Sequence, residues 1–108
     1  MQNRNEKLRE ALQHAAAEFL AREALPPPAG GLITVTGTTL SDDGRKATIL
    51  MTVFPDSAED KAVEFANRHR SEFAQFFSSR VRGATMPHVE FLIDRGEKNR
   101  QRLDELSN

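Results

Sequence analysis

Cysteine, tryptophan and tyrosine are all missing from these 108 residues. Without cysteine the chain can form no disulfide and offers no thiolate to a metal, a composition that fits a cytoplasmic protein. Without Trp or Tyr, the seven Phe must supply every aromatic contact, so the interior is expected to be aliphatic with phenylalanine anchors. Long apolar runs are missing too. None nears the roughly eighteen residues of a membrane span, and the opening stretch MQNRNEKLREALQ lacks the apolar centre of a secretory signal. Nor does charge of one sign dominate: fifteen Lys and Arg face sixteen Asp and Glu, a net charge of −1. The balance is uneven along the chain. Residues 1–67 carry seven basic and ten acidic side chains, and residues 68–108 carry eight and six. Any phosphate-binding surface is therefore expected as a local patch in the second half.

At this length the chain is expected to form one domain with one modest core. Asn5–Leu25 reads as an amphipathic helix, because Leu8, Leu12, Ala15, Ala16, Phe19 and Leu20 recur at intervals of three and four. Pro26, Pro27 and Pro28 end it, since proline has no N–H to donate and pushes its predecessor out of the α region. Leu32–Leu40 alternates Ile33 and Val35 with Thr34 and Thr36, the pattern of a strand rich in β-branched residues. Gly37 within it points to a bulge or a close backbone approach. Ser41-Asp42-Asp43-Gly44 is a turn in which Asp side chains bond back to amides and Gly takes positive φ. Lys46–Phe54 then forms the second strand of an antiparallel hairpin, with Ala47, Ile49, Met51 and Val53 on one face.

Ser57, with Asp60 three residues on, predicts a helix N-cap and an acidic first turn. Helical phase continues through Ala62, Phe65, Ala66, His69, Phe73, Phe76, Phe77 and Val81. One continuous helix of about 25 residues would exceed the usual 8–20, which favours two helices meeting near Ser71, whose hydroxyl would cap the second. Pro87 precedes an alternating third strand of Val89, Phe91 and Ile93. Arg95-Gly96 then turns the chain, and Glu97–Leu106 forms a short terminal helix. The predicted fold is α+β, in the order α-β-β-α-α-β, with helices covering one face of a three-stranded sheet. The first helix and its linker occupy residues 1–31, the hairpin, helical pair and third strand 32–94, and the terminal helix or tail 95–108.

The candidates for chemistry are Arg68, Arg70, Arg80 and Arg82 in and just after the long helical stretch, Ser71 at the helix junction, and Arg45 and Lys46 entering the second strand. Arginine forks onto phosphate oxygens with paired hydrogen bonds, and a helix junction offers free amides to the same anion. The competing reading is an ordinary solvated face, with arginines paired to Glu64 and Glu72. His69 lies on the apolar stripe and reads as a half-buried histidine with a local hydrogen bond. His14 and His88 have no metal spacing. Asp42, Asp43, Asp56 and Asp60 already have structural roles in turns and at a helix start, and no nucleophile or base–orienter pair accompanies them, so no enzyme activity, metal or cofactor is expected. The six glycines form neither a P-loop, a dinucleotide fingerprint nor the G-x-x-G of ordinary KH domains. The Phe residues fall mostly at core phase, so no exposed stacking platform is expected.

Three stretches resemble the ribosome-binding factor A family, single-domain KH-like proteins of bacteria. The family hairpin VTVTxVxLSxDxxxAxVxVxV is similar to Ile33–Val53, ITVTGTTLSDDGRKATILMTV, without a gap. The family's R-x-x-x-x-P-x-L-x-F-x-x-D is similar to Arg82–Asp94, RGATMPHVEFLID, and Lys98–Leu106 stands where the family has its short terminal helix. Two segments depart from the pattern. Leu25–Leu32, LPPPAGGL, replaces a D-P-R-L-like connection, and His69-Arg70-Ser71 stands where the family's A-x-G marks the helix junction. The resemblance implies a type II-like KH domain acting as a cytoplasmic, non-catalytic assembly factor. Its partners would be the immature small ribosomal subunit and its RNA, whose 5′-end region it would help to mature. It implies no cofactor, no small-molecule substrate and no membrane, and a monomer is expected. Backbone phosphates would be captured by the junction and its arginines, with RNA recognised by shape. The rival reading is a protein-interaction module using the sheet face or edge without RNA.

Overall fold

The computed structural model describes residues 2–22, 31–83 and 85–107; the proline run expected to end the first helix lies outside them. The elements are α1 (Gln2–Arg22), β1 (Leu32–Leu40), β2 (Lys46–Phe54), a 3-10 turn (Asp56–Ala58), α2 (Glu59–Arg68), α3 (Arg70–Arg80), β3 (His88–Ile93) and α4 (Arg95–Ser107). The α+β order expected from the sequence is the order observed. β1 and β2 are antiparallel, β2 and β3 parallel, and β2 lies in the middle of a mixed sheet.

The hairpin turn is built as its residues dictate. Asp43 Oδ1 accepts the Ser41 hydroxyl at 2.7 Å and the Arg45 N–H at 3.0 Å, while Gly44 sits at φ 73°. The Ser41 hydroxyl, first, and the Arg45 N–H hold the Asp43 carboxyl below its ordinary pKa. Further along β1 the pairing register slips between Val35 and Gly37, so Thr36 is the extra residue of a bulge. Its hydroxyl donates to Asp94 Oδ2 at 2.5 Å.

Asp94 also caps α4: its Oδ1 accepts the Glu97 N–H at 2.9 Å, and its own N–H donates to Met51 O at 2.8 Å. The chain therefore turns at Asp94, and Arg95-Gly96, expected as the turn, is already helical. Lys98 holds the same helix to the body through Glu59 at 2.8 Å. Gly31, just before β1, is needed for space. A Cβ there would lie 3.0 Å from Ala58 Cβ and 3.2 Å from Phe54 O.

Helices pack on one face of the sheet. Ala47, Ile49, Met51 and Val53 of β2 and Val89 and Phe91 of β3 meet Leu12, Ala15, Ala16, Phe19 and Leu20 of α1, Ala62 and Ala66 of α2, and Phe73 and Phe77 of α3. Phe73 is the hub, with ring centroids 5.5 Å from Phe19, 6.3 Å from Phe77 and 5.7 Å from Phe91. The opposite face carries Thr34, Thr48, Leu50, Thr52 and Leu92. It also carries Leu32 and Phe54, directly opposite each other and 69% and 74% exposed. Phe54 is thus an exposed aromatic that helical and strand phase assigned no role.

Both predicted N-caps are corrected. Residues 56–58 enter a 3-10 turn first, so Ala58 rather than Ser57 occupies the N-cap of α2, with no side-chain bond. The long helix does break, at His69, so Ser71 is already in the first turn of α3. The His69 N–H is shared between the Phe65 and Ala66 carbonyls at 3.2 Å each, and its carbonyl accepts the Phe73 N–H that opens α3. At φ −100° and ψ 21° the break stays at negative φ, so glycine's conformational freedom is not required there.

Phe73→Ala is expected to cost about 3–5 kcal/mol of unfolding free energy, read as a large drop in urea midpoint. Phe54→Ala should stay within about 0.5 kcal/mol of the parent. Asp94→Ala, which removes the cap, should cost about 0.5–2 kcal/mol and lower the far-ultraviolet helical signal.

Candidate nucleic-acid interface

The sequence-predicted cations separate into two groups once folded. Arg68 lies on α2 and pairs with Glu64 at 2.7 Å, an i,i+4 bridge exposed on both sides. Arg80 ends α3, where Nη1 lies 2.9 Å from Glu18 Oε1 of α1 and the guanidinium carbon 4.5 Å from the centre of the Phe76 ring. Arg68 pairs with Glu64 within its own helix, whereas Arg80 ties α3 to Glu18 of α1 rather than pairing with Glu72.

The others converge. Arg70 and Ser71, at the start of α3, line a groove of about 290 Å³ whose far wall is Met86, Pro87, His88 and Val89. His88 opens β3, lies opposite Lys46 in the register, and donates its N–H to Arg45 O at 2.8 Å. Arg45, Lys46 and His88 are all exposed. Arg82 lies on the loop after α3, beside the hairpin turn, in a second groove of about 580 Å³ with Lys7, Asp43, Gly44 and Thr85. The junction, the start of β3 and the hairpin turn thus bring cations from both halves of the chain to one end of the sheet.

Arg70 is held in place. Its Nε donates to Asn67 O at 3.0 Å and Nη1 to Val89 O at 3.5 Å. The bond to Asn67 adds a side-chain donor to a carbonyl at the end of α2. His69, in the break itself, has Nδ1 2.8 Å from Phe65 O, and its ring centre lies 4.3 Å from that of Phe65. It is the half-buried, locally bonded histidine expected from its phase.

Two contributors were missed by sequence reasoning. His88 has no metal spacing in the sequence, yet strand pairing sets it opposite Lys46, and it lines the same groove as Arg70 and Ser71. Asn67 was passed over, although a polar amide near the end of an amphipathic helix is itself a signal, because Asn disfavours helix interiors unless its side chain has a backbone partner. Here Asn67 bonds the backbone of Val63 and Phe91.

Chemically, the first groove offers the Arg70 guanidinium, the Ser71 hydroxyl and His88, and the second the Arg82 guanidinium and the Lys7 ammonium beside Asp43; such donors suit oxyanions. Among the described residues, no three His, Asp or Glu side chains stand together to hold a metal ion. No described helix is long and apolar enough to cross a membrane.

Comparison with known proteins agrees over nearly the whole chain. Residues 4–107 match the family model described as ribosome-binding factor A. The chain is 33% identical over 95 residues to the ribosome-binding factor A of Geotalea uraniireducens, covering 87% of this chain and 77% of that one. It is 33% identical over 104 residues to the Thermobifida fusca protein, covering 95% and 68%. The fold is similar to the crystal structure of ribosome-binding factor A from Thermus thermophilus, with a TM-score of 0.70, 28% identity, and 82% of this chain and 93% of that chain covered. A homology model of the Thermus thermophilus factor, fitted into a cryo-EM map of its complex with 30S, gives a TM-score of 0.69 at 29% identity, with 82% and 93% covered. With this span matched, and with the helix-strand-strand-helix-helix-strand order in place, the chain belongs to the ribosome-binding factor A family.

Proposed function

We propose that this protein is a non-catalytic assembly factor that binds the small ribosomal subunit and contacts its RNA through the end of the sheet where Arg70, Ser71, Arg45, Lys46 and Arg82 gather. The observation that carries the reading is the placement of Arg70 and Ser71 in a groove at the α2–α3 break and of Arg82 in a groove at the hairpin turn, with Arg45 and Lys46 exposed where β2 begins, in a chain of this family. The Thermus thermophilus relative fitted into a 30S complex supports the choice of partner. Maturation of the RNA near its 5′ end is the finer part of the proposal and follows the family resemblance. Arg68 and Arg80, engaged with Glu64 and Glu18, play a lesser part in it.

Binding by phosphate contact has a definite salt signature, because each neutralised phosphate releases counterions. Four contacts, from Arg45, Lys46, Arg70 and Arg82, predict that doubling the salt weakens association about seven- to twelvefold. The test is sedimentation of tagged protein with its own cell lysate through sucrose gradients at two salt concentrations. The expected result is salt-sensitive co-migration with the free small subunit and little with complete ribosomes. Replacing Arg45, Lys46, Arg70 and Arg82 together with Ala should abolish the co-migration, and Arg68→Ala should leave it nearly unchanged. Absence from small-subunit fractions at low salt would overturn the assignment. Association insensitive to salt would instead favour a protein contact through the open face, where Leu32, Phe54 and Leu92 are exposed.

A further inference from the structure

The outer edge of a sheet presents N–H and C=O groups to any extended chain that reaches it. β3 is such an edge. Its residues alternate between facing β2 and facing outward. The Asp94 N–H donates to Met51 O at 2.8 Å, and Ile93 stands opposite Met51, so Ile93 turns its own N–H and carbonyl away from β2. Phe91 and Val89 do the same. At Phe91 both outward groups are taken by the Asn67 amide, at 2.9 and 3.0 Å, and at Val89 the carbonyl is reached by Arg70 Nη1 at 3.5 Å. Among the described residues nothing bonds the outward groups of Ile93. The edge is therefore open at its last position, at the far end of β3 from His88.

A groove of about 450 Å³ lies at that position, between α2 and the end of β3, lined by Asp60, Val63, Glu64, Leu92, Ile93 and Arg95. Its two walls differ. α2 supplies the acids, and both are exposed. Among the described residues Asp60 has no ion pair, while Glu64 pairs within its own helix, with Arg68 at 2.7 Å. Arg95 Nη1 lies 3.9 Å from Glu59 Oε1, and Lys98 holds the other oxygen of Glu59 at 2.8 Å. The sheet supplies Leu92, 41% exposed and next to Leu50 on the open face. Acids along one wall disfavour a phosphodiester chain and favour a cationic one.

We infer that this groove binds an extended basic segment of a protein partner, laid as a short added strand against Ile93. Successive side chains of a strand point to opposite faces, and the two walls of the groove lie on opposite faces of the sheet. Ile93 packs against the core, on the face that the helices cover. A lysine or arginine placed opposite it in antiparallel pairing exchanges two backbone bonds with Ile93 and carries its charge toward Asp60 and Glu64. The residues on either side of that cation then fall on the open face, where Leu92 favours apolar side chains. The segment is thus one in which basic and apolar residues alternate. Its pairing is confined to one residue of β3, because Asn67 closes the edge at Phe91, so the side chains must supply much of the affinity. The inference stands apart from the RNA reading and uses none of Arg45, Lys46, Arg70 and Arg82.

The test is fluorescence anisotropy of the whole protein with a labelled peptide of about seven residues, the length of an ordinary strand, alternating lysine and valine. It is expected to bind about tenfold or more tightly than the same peptide with glutamate for lysine. It should also bind about threefold or more tightly than a peptide of identical composition with its lysines and valines in separate blocks, which keeps the charge and loses the alternation. Methylating the backbone nitrogens of the lysines removes the donors that face Ile93 and should weaken binding about fivefold. Asp60→Asn with Glu64→Gln, two exposed and nearly isosteric changes, should weaken it by about fivefold as well. No binding of the alternating peptide, equal binding of the block peptide, or indifference to methylation would overturn the added strand. An unaffected double variant would remove the groove from the binding site. Displacement of the peptide by an unlabelled uridine strand would assign the groove to nucleic acid and overturn the inference. Self-association in sedimentation equilibrium that the double variant abolishes would overturn it in favour of a second copy of the chain.

Discussion

The structure depends on the burial of Phe73. Its ring meets Phe19 of α1, Phe77 of its own helix and Phe91 of β3, so one side chain joins the N-terminal helix, the helical pair and the last strand of the sheet. In a chain with neither Trp nor Tyr, few other side chains are large enough to span these elements. The small residues Ala62 and Ala66 then let α2 approach the sheet closely, and the aliphatic face of β2 completes the contact. The helix break follows from the same demand. An unbroken helix over residues 59–80 would run straight past the sheet, whereas the break at His69 lets α2 lie against β3 while α3 carries Phe73 and Phe77 toward α1.

Much of the fold was legible because periodicity reports burial directly. The alternation of Ala47, Ile49, Met51 and Val53, and the three-four spacing of Leu12, Ala15, Ala16, Phe19 and Leu20, appear in the structure as the two faces of the core. Helix ends were harder to read. A serine before an acidic residue suits an N-cap, but the 3-10 turn after β2 used residues 56–58 before α2 could begin, and that preference of the backbone outweighed the side-chain signal at Ser57. The bulge at Thr36 was anticipated from Gly37, since only the backbone conformation was needed to see it. Its bond to Asp94, 58 residues away, was not, because nothing local in the sequence encodes a long-range pairing of two polar side chains.

The candidate site divides in the same way. Arg68, Arg70, Arg80 and Arg82 are close in the chain, yet Glu64 engages Arg68 and Glu18 engages Arg80, while Arg70 reaches the start of β3 and Arg82 lies beside the hairpin turn. Several of the chain's acids are consumed locally, Glu59 by Lys98, Asp43 by the turn and Asp94 as a helix cap, while the cations near the junction face outward.

Asp94 has a consequence that reaches past its role as a cap. One carboxylate holds the first turn of the terminal helix with one oxygen and the bulged residue of the first strand with the other. Strand residues alternate between faces, so a shift of β1 by a single position would carry Thr36 away from that oxygen. The direction in which the C-terminal helix leaves the body is therefore indexed to the register of the hairpin. An insertion in β1 would be transmitted to a helix that begins more than fifty residues later, without any change to the helix's own sequence.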